Sequence, residues 1–185
     1  MSSRRTLGPT GGDLGIEVDE VRRALVRSGV EVAGIGLDVV DVDAFAEQLD
    51  VDGSTFLTAA FTAGERSDVV VAHAEGPRVD ARRLASRFAA KEAFVKAWSN
   101  TRFGEVPQLP GWSASDIEVV VDAWGRSRLR LHGPVAVAVS EHFGDDWALH
   151  LSCSHDGPLA AAVVVLAATS RDATSRDAGS RDAGR

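Results

Sequence analysis

The stretch DARRLASRFAAKEAFVKAWSN, residues 80–100, is the strongest helix signal in the chain, and the other elements have to be reconciled with it. Asp80 can cap its N-terminus and Asn100 ends it. Leu84, Phe88, Val95 and Trp98 fall near one stripe, and alanines fill much of the remainder. The same region concentrates positive charge. From Arg78 to Arg102 there are seven basic residues (Arg78, Arg82, Arg83, Arg87, Lys91, Lys96, Arg102) against two acids, Asp80 and Glu92, in a chain of net charge −7. That is either a solvated helix face or a local anion-recognition surface on an acidic protein. The overall charge argues against general nucleic-acid binding.

Around this helix the periodicity predicts a sequence of short elements. Residues 30–40 read as a strand. Asp41 or Asp43 can cap a short helix reaching about Leu49, with Phe45 and Leu49 on one face. Thr62-Ala63-Gly64-Glu65 is a capping-box pattern opening a helix to about Ala72, and HAEGPR follows as a loop. SDIEVVVDAWGRSRLRLHG predicts a β-hairpin turning at Gly125. Pro134 opens a helix, and WALHLSCSH and LAAAVVVLAA are two strands joined by the turn DGP. The order predicts an α+β fold with an antiparallel sheet. Residues 30–167 form the expected domain. Residues 1–29 are an extension, Gly-, Ser- and Thr-rich and expected to be disordered over 1–16 with a helical pattern over 17–28, and residues 168–185 are an expected disordered, low-complexity tail repeating SRDA. No run of about 18 apolar residues is present, so no membrane span is expected. MSSRRTLGPTGG lacks the apolar stretch of a secretory signal, and a single cysteine, Cys153, fits a reducing cytoplasm.

Three constellations stand out. In GIGLDVV, residues 34–40, strand geometry puts Gly34, Gly36 and Asp38 on one face. The glycines clear space beside a carboxylate, either for a ligand or for a helix packing closely on the strand. The glycine spacing is neither a dinucleotide fingerprint, since Val39 stands where the third glycine belongs, nor a P-loop, which needs a following lysine and hydroxyl residue. On the long helix, Lys91, Glu92 and Lys96 lie in an otherwise apolar run, with Glu92 and Lys96 one turn apart. They are a surface ion pair or a partly desolvated set suited to a metal and phosphate: carboxylate for a hard cation, lysine for phosphate oxygen. Third, His155 ends the inward row of Trp147, Leu149, Leu151 and Cys153, where it can look into a cleft or be a hydrogen-bonded core-edge histidine. Cys153 reads as a small core residue. His73, His132, His142 and His150 carry no assignment.

GIGLDVV, RFAAKEAFVKAW and LSCSHD, in that order, resemble the small bacterial holo-acyl-carrier-protein synthases, which are phosphopantetheinyl transferases. WGRSRLRL is similar to that family's hairpin, and the resemblance runs from about Val30 to Ala167. It implies Mg²⁺-dependent transfer of phosphopantetheine from coenzyme A to a serine of an acidic apo-acyl carrier protein, leaving adenosine 3′,5′-bisphosphate. By motif position it implies Asp38 and Glu92 as Mg²⁺ carboxylates, Lys96 at the coenzyme phosphates and His155, Arg87 and Lys91 near the coenzyme. Asp38, Glu92 and Lys96 would carry the catalysis, with Glu92 the candidate base. The resemblance further implies a homotrimer with its sites at subunit interfaces. Two positions depart from the pattern. Ala44 and Ala59 stand where many relatives carry arginines available to the carrier protein, which leaves Arg66, Arg82 or Arg83 to take that part. The competing readings are the same chemistry serving polyketide or peptide synthase carriers, a non-catalytic coenzyme A-binding module, and a structural oligomer whose charges form an ion-pair network.

Overall fold

A computed structural model describes residues 30–71, 78–106, 109 and 111–169, and the expectations for the N-terminal extension, most of the HAEGPR loop and the SRDA repeats lie outside them. The described chain runs β1 (Val30–Asp41), α1 (Val42–Leu49), α2 (Phe56–Ala60), α3 (Ala63–Asp68), β2 (Val70–Val71), β3 (Arg78–Val79) and α4 (Ala81–Thr101). A 3₁₀ turn (Ala114–Asp116), β4 (Ile117–Val121), β5 (Ser127–Leu131), α5 (Gly133–Phe143), β6 (Trp147–Asp156) and β7 (Leu159–Thr169) follow.

The fold is α+β, as predicted, but its strands divide into separate sheets. Strands β1, β7 and β6 form one sheet in that order, while β4–β5 and β2–β3 each stand as a pair. Strands β6 and β7 are antiparallel, from Trp147 opposite Ala168 to Asp156 opposite Leu159. β7 thus runs past the expected domain end at Ala167. Asp41 caps α1 through its Oδ1, and Thr62 and Glu65 close the capping box of α3. Helix α3 stops at Asp68, short of Ala72, because Val70 and Val71 turn into β2 against Val79 and Arg78. The short helix α2 and the β2–β3 pair carry too few residues for a periodicity to show. Among the described residues no helix is long and apolar enough to cross a membrane.

Helix α4 organises the core. Asp80 caps it, its Oδ1 accepting the Arg83 N–H. Its alanines do more than fill space. Ala89, Ala90, Ala93 and Ala97 are fully buried with Phe94 and Trp98 against Ile117 and Val119 of β4, Val135 and Val139 of α5, and Ala162, Val164 and Leu166 of β7. At its N-terminal end Leu84 and Ala85 join a second cluster with Phe45, Phe61, Val69 and Ala160. Small side chains let the helix backbone come close to several elements at once, so the buried arc is wider than a single stripe. Phe88 and Val95, both expected in the stripe, are only partly buried, whereas Phe94 is sealed. Phe88 instead packs with Phe45 and Phe56, ring centroids 5.6 and 5.5 Å apart.

Candidate active site

The site begins where α4 crosses β1. A Cβ at Gly34 would overlap the Ala97 carbonyl oxygen, and one at Gly36 that of Ala93. The glycines therefore admit the helix backbone to the strand. They do not leave the room for a diphosphate that Gly34 and Gly36 could have offered, which settles their role as packing. Two side chains of α4 stitch the crossing: Asn100 Nδ2 donates to the Ile35 carbonyl at 2.6 Å, and Lys96 Nζ to the Leu37 carbonyl at 3.1 Å.

That close approach delivers Asp38 to the helix. Lys96 Nζ lies 2.7 Å from Asp38 Oδ1, with the carboxylate largely covered and the ammonium half-exposed. Glu92, one turn before Lys96, is half-buried. Burial pushes its carboxyl above the usual range, the Asp38 carboxylate pushes it further, and Lys96 opposes both. Asp38, Glu92 and Lys96 thus come together at the crossing of α4 and β1. Two carboxylates drawn from different elements, Asp38 adding to the cost of ionising Glu92, are the donor set that a hard divalent cation takes when phosphate oxygens complete its shell.

Arg87 and His155 belong to a different surface. Arg87 precedes Glu92 by five residues, which places it about 140° away around the helix. It is buried, its guanidinium 3.8 Å from Asp68 and donating to the Arg83 carbonyl at 3.3 Å, while its Nε has no partner among the described residues. Arg87 walls a cleft of about 340 Å³ together with Arg83, Ser86, Ser127, Cys153 and His155. The alternation along β6 is as read: Trp147, Leu149, Leu151 and Cys153 turn inward and His155 emerges exposed at the cleft. Burial pushes the Cys153 thiol up to about 11 against the pull of Arg87, so the cysteine is a core residue rather than a nucleophile. None of Asp38, Glu92 or Lys96 belongs to this cleft wall.

Lys91 is not at the cleft either. Its ammonium is buried 2.8 Å from Glu65 Oε2, donates to the Ala114 carbonyl at 2.9 Å and sits over the Phe61 ring. It faces the protein interior, unlike the surface position that a coenzyme contact would suggest. Glu65 was legible only as a cap. Its Oε1 also accepts the Val119 N–H at 2.9 Å, so the pair ties α3, α4 and β4 together. Glu118 and His132 also escaped the sequence reading. Glu118 accepts from Thr62 Oγ1 at 3.0 Å and bonds His132 Nε2 at 2.9 Å. No spacing in the sequence links these residues. Ala44 and Ala59 are exposed. Of the cations considered in their place, Arg82 and Arg83 are exposed and Arg66 is engaged with the Phe61 carbonyl at 2.7 Å.

Comparison with known proteins agrees on one family. The family described as the 4′-phosphopantetheinyl transferase superfamily matches residues 34–163. A holo-[acyl-carrier-protein] synthase of Mycobacterium ulcerans is 46% identical over 135 residues, 73% of this chain and 96% of that protein. The acyl carrier protein synthase structure of Mycobacterium tuberculosis is 42% identical, with a TM-score of 0.56 over 75% of this chain and 99% of that one. The Chronobacterium ammoniagenes synthase in complex with coenzyme A is 41% identical, with a TM-score of 0.64 over 75% and 98%.

Proposed function

The chain belongs to the 4′-phosphopantetheinyl transferase superfamily, and from that premise we propose how its residues carry the phosphopantetheine arm from coenzyme A to a serine of an apo-acyl carrier protein. The products are the holo-carrier and adenosine 3′,5′-bisphosphate. The observation that carries the reading is the convergence of Asp38 and Glu92 beside Lys96 where α4 crosses β1.

Asp38 and Glu92 would hold Mg²⁺, which would supply charge neutralisation to the diphosphate and to the leaving group. Lys96, half-exposed above Asp38, gives the phosphate oxygens an ammonium donor. Arg87, Arg83 and His155 bind the anionic nucleotide end of the coenzyme in the cleft. Glu92 is the group placed to take the proton of the carrier serine, directly or through water. No enzyme nucleophile is needed, in keeping with a cysteine held as a thiol.

Carboxylates and cleft lie on different sides of α4, so one protomer's carboxylates work with a neighbour's cleft. The surface for that contact is the outer face of β1, where Ile35, Leu37 and Val39 are each more than half exposed. A patch of that kind marks an interface. The assembly is a homotrimer. Carrier docking falls to Arg82, because α1 presents Asp43, Ala44 and Glu47 to solvent instead of a cation and Arg83 is taken by the cleft. That acidic helix favours a carrier other than the most acidic ones, including domains of polyketide or peptide synthases.

The test is direct. The protein is incubated with coenzyme A, Mg²⁺ and several apo-carriers, and each carrier is weighed for one added phosphopantetheine arm. Asp38→Ala and Glu92→Ala should each abolish transfer while the protein stays folded. Coenzyme binding without modification of any carrier would support a binding module instead, and full activity in either variant would defeat the metal assignment.

A further inference from the structure

The β4–β5 hairpin carries a side chain that neither the fold nor the proposed chemistry uses. Trp124, at its tip, is 80% exposed. The turn beneath it is fully bonded without the indole. Asp122 Oδ1 accepts the N–H groups of Trp124 and Arg126, both at 2.9 Å, and its Oδ2 accepts Arg126 Nε at 2.6 Å. The Gly125 N–H donates to the Asp122 carbonyl at 3.0 Å, with Gly125 at φ +81°. All of these bonds use backbone, Asp122 or Arg126. Position 124 contributes only its N–H, which almost any residue could supply, so the turn does not explain a tryptophan. Arg126, pinned by Asp122, stacks on the indole at 5.1 Å and restrains it. A large apolar ring is thus held out in water at a defined place.

That place adjoins the cleft. Gly125, the next residue, lines its wall, as do Val121 and Ser127 of the same hairpin. Apart from Cys153, the remaining wall carries arginines, serines and His155, suited to phosphate and hydroxyl groups. It has no broad apolar ring on which a purine could lie. At about 340 Å³ the cleft is also at the small end of ligand sites, so a nucleotide seated by its phosphates has to project its base over the rim.

We infer that Trp124 is the base-stacking residue of this site: with phosphates held at Arg83, Arg87 and His155, the indole receives the adenine ring of the coenzyme on its free face. Arg126 on the opposite face completes a cation–indole–purine stack. The inference rests on the coenzyme occupying the cleft as proposed above.

The experiment measures binding of two probes to the full chain by calorimetry: adenosine 3′,5′-bisphosphate, and 4′-phosphopantetheine, which has no base. Trp124→Ala should weaken the bisphosphate about tenfold, within the range of base–aromatic stacking, and leave 4′-phosphopantetheine unchanged. Trp124→Phe should recover most of the loss. In turnover, KM for coenzyme A should rise in Trp124→Ala with little change in kcat or in KM for the carrier. The bisphosphate should also quench tryptophan fluorescence in the native chain and much less in Trp124→Phe. Unchanged bisphosphate binding in Trp124→Ala, or equal weakening of both probes, overturns the stacking role while the coenzyme site stands. Failure of the native chain to bind the bisphosphate at all overturns both.

Discussion

Gly34 and Gly36 clear space for the backbone of α4, and that has a measurable consequence. A methyl group at residue 36 would have to displace the Ala93 carbonyl, part of a helix anchored along its length. Gly36→Ala should therefore cost at least about 3 kcal/mol of stability, as overpacking against backbone does, read as a lower midpoint in urea unfolding. A variant that unfolds normally but binds coenzyme poorly would return the glycines to the ligand. The sequence left both options open because a strand glycine looks the same whether a ligand or another backbone approaches it. Cys153 was easier to read, since an apolar strand row predicts a buried thiol. With burial pushing it up to about 11, roughly one molecule in a thousand carries the thiolate at pH 8. Alkylation of the folded protein by iodoacetamide should be slow there and accelerate as pH rises toward 11. Labelling at the rate of free cysteine at pH 8 would contradict that environment.

Among the elements, α4 shows what local signals convey and what they omit. Its cap, length and charges were visible in order, because each depends on neighbours within a turn or two. Even the separation of Arg87 from Glu92 follows from helix phase. The role of Lys91 was not visible, since its partner Glu65 lies 26 residues earlier and the charge is stabilised only after three elements assemble. The ammonium is 1% exposed and the carboxylate fully buried, so removing one partner strands the other. Lys91→Met should destabilise the protein by about 3–5 kcal/mol. Adding Glu65→Gln to it should cost less than the sum of the two single changes, a coupling that chemical unfolding of the four proteins in a double-mutant cycle would quantify. Strict additivity would mean the pair does no more than fill space.

For the molecule as a whole, the strand pattern gave the α+β class, but alternation within a strand does not say which sheet it joins, so the split into three sheets stayed hidden. On the proposed reading, completeness of the site is likewise a property of the assembly. Carboxylates at the β1–α4 crossing and a basic cleft beyond α4 make a working site if they meet across an interface, and mixed assemblies can test this. Asp38→Ala lacks one carboxylate of the proposed metal pair but keeps the cleft; His155→Ala keeps both carboxylates but lacks the cleft histidine. Each alone should be nearly inactive. Co-expressed with different tags and purified as mixed oligomers, they should recover about a third of native activity, because each mixed trimeric ring holds one contact in three at which an intact carboxylate pair meets an intact cleft. Leu37→Asp, introduced on the exposed face of β1, should abolish both the recovery and the oligomer in analytical ultracentrifugation. If the mixed oligomers stay as inactive as their parents, each protomer builds its own site, and the exposed β1 face has some other partner.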